Sequence, residues 1–551
     1  MNTKIKNKWL AGLSFIILSF SATLVSCVGD LHVDNINPQQ TSDFNADALL
    51  NKIYASFVLT GQKGPDGNGD IADFDEGRSE FYRMNWEMNE FTSDEAHWEW
   101  LNDAGVPDII HNTWGSDNPR TQGLYYRLFF TITLCNYYLE QTEGDNSAET
   151  ALKRAEARFI RALDYYYVMD LYGNATFIEK VSLEPGVRYS RAEYFNYIES
   201  ELKELESQLA QPGQNKYGRV DRVAAQLLLA RLYLNAEVYT GTARWEEAKD
   251  YADKVINNGY YHLNTTGATN PATGEKYSAY QMLFLADNDT NGAQFEDIFP
   301  ILHDGINTTS HGAMNFLVLA SYSKPSDDNM DITVPSGTDC SWGKCLRVRS
   351  SLIDTFFGET ELPANTTSVE EITGLAGDDR ALFYTGDERK QYTREITDES
   401  DQAMGYSCMK FRNVRSDGKA PSALAKVDTD LPLMRIAEAY LTYAEAETRL
   451  HGSTADAAEK INALRKRANA VTYPQYDLDD IVSEWSKEFW FEGRRRVDLI
   501  RFGLFGGQSK YTWEWMGNTL NGTQFPAFRN IFPLPNNDLT NNPNLRQNDG
   551  Y

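Results

Sequence analysis

Apolar and small side chains recur at helical spacing through long stretches of this 551-residue chain, and that recurrence limits the possible folds more than any other feature. Ala155, Phe159, Ala162, Tyr166 and Met169 stand at i, i+4, i+7, i+11 and i+14, one face of a helix, and Gly173 follows as a stop signal. Leu433, Ile436, Ala437, Tyr440, Leu441 and Ala444 repeat the pattern. Ser453-Thr454-Ala455-Asp456 then reads as a capping box for a helix carrying Ala457, Ile461, Leu464 and Ala468. The helices come in pairs. Residues 224–235 lead through a turn at Gly241 into 245–252, and 433–468 repeats that design. Two further pairs are predicted from 44–60 with 121–141 and from 151–172 with 191–209.

Helix pairs with small and aromatic residues at this spacing resemble tetratricopeptide repeats, which stack into a curved scaffold. The expected fold class is mainly α: tetratricopeptide-like helix pairs interrupted by large irregular insertions at about 61–120 and 264–430. Those insertions are rich in Gly, Asn, Asp, Ser and Thr and lack long periodic runs. Long irregular excursions in compact domains are usually functional or disordered. Their Trp and Phe content argues for order, so binding is expected there.

The first 26 residues read as a signal peptide: Lys4, Lys6 and Lys8, a short apolar centre, then small residues. Cys27 stands where bacterial lipoproteins carry the cysteine that is lipidated. Residues 27–551 are then expected to form a single domain, tethered to a bilayer by acyl chains. The formal charge of −27 repels nucleic acid and acidic polysaccharides, so partners should be neutral, cationic or chosen by shape. Cys135 lies in an apolar run and reads as a buried thiol. Cys340 and Cys345 are close enough in sequence that export would permit a disulfide. Zinc would need tighter, repeated Cys or His spacing. Asp287, Asp289 and Asp297, with Asn288 and Asn291, make an oxygen-rich stretch able to hold calcium, although a solvated turn is the favoured reading because EF-hand spacing is missing. No cofactor is required.

Several segments resemble the SusD/RagB family. They include Ala155–Leu163 leading to Asp170-Leu171-Tyr172-Gly173, and Asp430–Leu441 continuing to Ala444-Glu445-Ala446. Glu488–Arg495 with Asp498–Gly503 is a third, and the tail from Phe532-Pro533-Leu534-Pro535 to Tyr551 a fourth. The resemblance implies a lipid-anchored outer-membrane protein, facing the exterior, on a tetratricopeptide-like scaffold. It also implies a partner, a TonB-dependent transport barrel of the SusC type. Within the cluster of Glu488, Glu492, Arg494 and Arg495, a structural ion-pair network is favoured over an acid/base site.

Thr60–Gly64, Asp75-Glu76-Gly77, Phe81-Tyr82-Arg83, Glu237–Gly241 and Ala286–Asp289 bring the resemblance closer still to the starch-binding branch of that family. There an arc of aromatic rings cradles an α-glucan. By local matching, Trp98 and Trp100 fall on its tryptophan pair, Trp342 on a later tryptophan, and Arg83 on an arginine that bonds sugar hydroxyls. Asn102 or Asp103 falls on a neighbouring asparagine, the register being open by one. His311 departs from the pattern, standing where that branch has tyrosine.

Physically, a pyranose offers an apolar face of C–H groups and a rim of hydroxyls, so it needs an aromatic plate and polar edges. Each partly buried indole is worth on the order of 1–2 kcal/mol at about 25 cal/mol per Å². Trp98, flanked by His97 and Glu99, and Trp342, between Ser341 and Gly343, are expected on the surface, whereas Trp485 and Trp490 are expected in the core. The expected function is capture of a neutral oligosaccharide, an α-glucan first, and its delivery to the transporter. The alternatives are a relative that binds another glycan or peptides and, more remotely, a surface glycoside hydrolase; no motif pairs a nucleophile with a base, so an enzyme is not expected.

Overall fold

The computed structural model describes residues 44–551 apart from 63, 65–68, 73, 75, 324–329 and 367, and only the backbone of 331. The leader and Cys27 lie outside the described residues. The scaffold begins with α1 (Ala46–Ala55) and a short α2 (Phe81–Trp86), followed by a strand β1 (Ala96–Trp98). Long helices follow: α3 (Pro119–Gln141), α4 (Ala148–Tyr172), α5 (Arg191–Leu205), α6 (Arg222–Leu234) and α7 (Trp245–Ile256). Strands β2 (Ala175–Phe177) and β3 (Val187–Tyr189) form a hairpin between α4 and α5. After the second insertion come α8 (Ala437–His451), α9 (Ala455–Arg467), α10 (Leu478–Phe489) and α11 (Arg495–Arg501). No described helix is long and apolar enough to cross a membrane.

Local chemistry explains the helix ends. Ser190 caps α5 in a full capping box with Glu193, and Gly173 ends α4 at φ 70°. At α9 the cap is Thr454, whose hydroxyl accepts from Ala457 N at 3.1 Å; the position three residues on is Ala457, so the expected box reduces to a single cap.

Packing runs from helix to neighbouring helix: α3 on α4, α4 on α5, α6 on α7, α7 on α8, α8 on α9. The predicted pairs 151–172/191–209, 224–235/245–252 and the one within 433–468 are present. The pair 44–60/121–141 is not formed as such, because α3 takes α4 as its partner and α1 reaches α4 through Tyr54 Oη donating to Glu156 (2.6 Å). Residues 264–430 leave after α7 and return at α8, which packs directly on α7. Closing so long an excursion costs entropy that grows only with the logarithm of its length.

Two departures from the periodicity reading stand out. Residues 433–435, expected to open a helix, belong instead to a strand, Leu431–Arg435, antiparallel to Asp297–Ile301, with Leu431 opposite Ile301 and Arg435 opposite Asp297. A short apolar run such as 431–434 fits either element, and the partner that decides it lies in the insertion. The insertion itself holds short helices at Ala313–Ser321, Ser350–Phe357 and Val369–Ala376 rather than being irregular throughout.

Candidate binding site

Strand Ala96–Trp98 pairs antiparallel with Leu346–Val348, setting Trp98 opposite Leu346 and His97 opposite Arg347. Past the strand end, Glu99 N donates to Cys345 O and Asp103 N to Trp100 O, closing a tight turn over 99–103. Trp98 and Trp100 therefore meet, ring centroids 5.3 Å apart at 74°. They do not share the surface. Trp98 is 1% exposed, packed against Phe91 and Phe316 at 5.7 Å each, with its Nε1 donating to Asp103 Oδ2. Trp100 above it is 36% exposed. The expectation of a surface plate is thus corrected for Trp98: burying a ring of that size against two phenylalanines outweighs anything its polar neighbours imply.

Trp342 reaches the same place from the second insertion. Helix Ala313–Ser321 ends beside it, and Trp342 N donates to Leu319 O (2.7 Å) while Lys344 N donates to Tyr322 O (2.9 Å). Gly343 (φ 83°) and Lys344 (φ 59°) form the turn; a lysine in the left-handed region stores strain, of the kind that functional sites retain. The half-buried Trp342 ring lies 6.3 Å from Trp100 at 33° and 5.9 Å from His311 at 83°. Trp100, Trp342 and His311 thus form a ledge of neighbouring, non-coplanar rings, tilted at the first contact and edge-to-face at the second, with Phe316 6.2 Å from Trp342.

Polar groups flank the ledge. The Arg83 guanidinium lies 5.3 Å from the Trp342 ring centre and 4.7 Å from that of Phe316; its Nη1 donates to His311 O (3.0 Å) and its Nε to Glu87 (3.1 Å). Only 6% of Arg83 is exposed, and its Nη2 has no hydrogen-bond partner among the described residues. Asp103 is half-buried, holding Trp98 and facing Arg78 at 3.6 Å and Arg120 at 3.7 Å, whereas Asn102 is exposed. Of the two candidate positions, Asp103 is the one tied to Trp98 and Asn102 the exposed one.

Glu80 was not foreseen. Its buried carboxylate caps α2, accepting from Tyr82 N and Arg83 N, and also from Ala313 N at 3.1 Å, so it fastens the Arg83 helix to the His311 loop. Burial pushes its carboxyl up to about 8 despite those N–H donors. A second clamp lies under β1. His97 and His111 both face Glu399 through Nε2, at 2.6 and 2.9 Å, and each must donate because a carboxylate only accepts. Burial alone would raise Glu399, yet those hydrogen bonds hold it down to about 2, while burial lowers His97 to about 3. Neither clamp has a local sequence signature.

The remaining expectations resolve as follows. Trp485 and Trp490 are in the core. Cys345 is buried against Ala320 O and Cys340 is exposed beside Ala425 O; both thiols are free, so no loop disulfide forms. Asp287 is taken by Ser416 N and Oγ, Asp289 by Thr290, and Asp297 lies within a strand opposite Arg435. No group of three or more His, Cys, Asp or Glu able to hold a metal occurs among the described residues, so the calcium candidates do not converge. Glu488, Glu492, Arg494 and Arg495 all sit in ion pairs.

Comparison with known proteins follows that geometry. Residues 378–551 match the family model described as "SusD family", and residues 30–234 match one described as "Starch-binding associating with outer membrane". The chain is 39% identical to the starch-binding protein SusD of Bacteroides thetaiotaomicron, over 99% of this chain and 100% of that one. Among solved structures, a SusD-like protein of Bacteroides fragilis superposes with TM-score 0.66 at 18% identity, covering 92% of this chain and 96% of the other. Surface glycan-binding protein A of Bacteroides uniformis gives 0.65 at 19%, covering 91% and 98%. The last two speak for the fold.

Proposed function

The chain belongs to the SusD family, and from that premise we propose that it is a non-enzymatic glycan-capture protein of the outer membrane, lipid-anchored through Cys27 and facing the exterior. Its ligand on this reading is a neutral α-glucan, taken on the ledge of Trp100, Trp342 and His311 and handed to a SusC-like TonB-dependent barrel. The observation that carries the reading is the ledge itself: Trp100 and Trp342, both partly exposed and tilted 33° to each other, with His311 edge-on at 83°, offer apolar plates that are not coplanar. Arg83 Nη2 and the Asp103 carboxylate supply a donor and an acceptor for sugar hydroxyls. Near-full-length similarity to a protein named as starch-binding supports starch among glycans.

Two or three plates at about 1–2 kcal/mol each together with a few hydrogen bonds, less the cost of association, give a weak affinity, roughly micromolar to millimolar. Weak binding suits a protein that must release its cargo. Calorimetry across starch, dextran, inulin and xylan tests the ligand, with heat expected for starch and maltooligosaccharides alone. Appearance of cleavage products from maltooligosaccharides would reject the non-enzymatic assignment. Recovery of the chain without any barrel after mild extraction of the outer membrane would reject the partner.

A further inference from the structure

On a chain of charge −27, arginines should be claimed by the many carboxylates, and most buried ones are. One cavity of about 400 Å³ is an exception. Arg188 from β3, Arg191 at the start of α5 and Arg546 from the C-terminal tail all line it, with Asp549 as its one lining carboxylate. Arg188 and Arg546 make no ion pair within 4 Å and no hydrogen bond among the described residues, and Arg188 Nε is buried without a partner. Arg191 donates to main-chain oxygens at the end of α4, Met169 O at 3.1 Å and Asp170 O at 2.9 Å, so the helix C-terminus orients it without neutralising it.

Apart from Asp549, the carboxylates that stand near are committed elsewhere. Asp170 is held by Arg496 (2.9 Å) and Tyr239 (2.9 Å), and Glu193 by the Ser190 N and Oγ of its capping box (2.7 Å each). Burial and the adjacent Arg546 charge push the Arg188 guanidinium below its ordinary value, as expected for like charges sharing a site. Three guanidinium groups against the single lining carboxylate of Asp549 leave an excess of positive charge, the arrangement that recognises phosphate through paired N–H donors in a fixed fork. Phe528 and Val238 supply apolar walls.

We propose that this cavity binds a phosphate group, either free or carried as the ester headgroup of a lipid. It lies on elements separate from those that build the aromatic ledge, and the proposal does not depend on which glycan the ledge takes.

The test is thermal unfolding of the full chain in sodium phosphate against sodium chloride at matched pH and ionic strength. A saturable rise in Tm with phosphate is expected. The double variant R188Q/R546Q, which removes no hydrogen bond, should need on the order of tenfold more phosphate for the same rise. Ala527→Glu, placing a carboxylate in the cavity, should abolish the response. Flotation with phosphatidylglycerol vesicles, against phosphatidylcholine, separates the sources. Phosphate-competed flotation marks a lipid headgroup, and a Tm response without flotation marks free phosphate. Equal Tm rises in chloride and phosphate, or a phosphate response unchanged in both variants, would overturn the site.

Discussion

Two places where the second insertion meets the rest of the chain use opposite chemistry. At one, Glu488 is buried among Arg435, Arg467 and Arg380, while Glu296 takes Arg435 and Arg467, and Glu492 takes Arg435 and Lys410. At the other, a partly exposed Trp342 meets Trp100 and His311. The buried charges are satisfied by one another and present nothing to a ligand. The rings are satisfied only in part, and what remains uncovered is apolar face. The difference separates residues that hold the insertion in place from residues that the insertion exists to display, even though the charged cluster looks more like chemistry in the sequence.

The comparison can be broken from either side. Glu488→Ala should have the largest effect, leaving three guanidinium groups without their shared partner; a loss of roughly 3–5 kcal/mol in denaturant unfolding is expected, with glycan affinity of the folded fraction unchanged. Lost affinity at full stability would reverse the assignment. Trp98→Ala comes next. As a sealed ring it should cost about 3–4 kcal/mol of stability and weaken binding only indirectly, through Trp100. Trp100→Ala and Trp342→Ala should each weaken α-glucan binding about tenfold by calorimetry, some 1–2 kcal/mol, while moving Tm little. If Trp98 and Trp100 behaved alike, the layered arrangement of the pair would be wrong.

The smallest effect is a matter of pH. Burial raises Glu488 but its arginines hold it at about 2, so its contribution is complete above its ordinary value near 4.5 and is lost as pH falls toward 2. Glu80 has the opposite sign. Raised to about 8, it contributes fully below about 4.5, and that contribution is lost as pH rises through 8. Glu80→Gln mimics the neutral acid, so at pH 6 the variant should unfold within about 1 kcal/mol of the parent. Between pH 6 and 9 the parent should lose more stability than the variant, since Glu90 and Asp430, raised by burial to about 7 and about 8, titrate in both; parallel pH profiles would refute the clamp.

Most of the scaffold was legible because a helix writes its partner face into its own sequence at 3.6-residue spacing, as Ala155 to Met169 do and as Trp485 does in the core. The tryptophans of the ledge were legible as a set. What the sequence by itself determined is therefore a helical scaffold, its family, and which rings gather. Tertiary structure alone decided that Trp98 is sealed while Trp100 is exposed, that Asp103 bonds Trp98, that Leu431–Arg435 pairs as a strand, and that Glu80 and Glu399 act as clamps. Each of those outcomes turns on a neighbour remote in the chain, Phe316 for Trp98 and Ala313 for Glu80. Exposure and hydrogen bonding are properties of the assembled surroundings, and no local spacing encodes them.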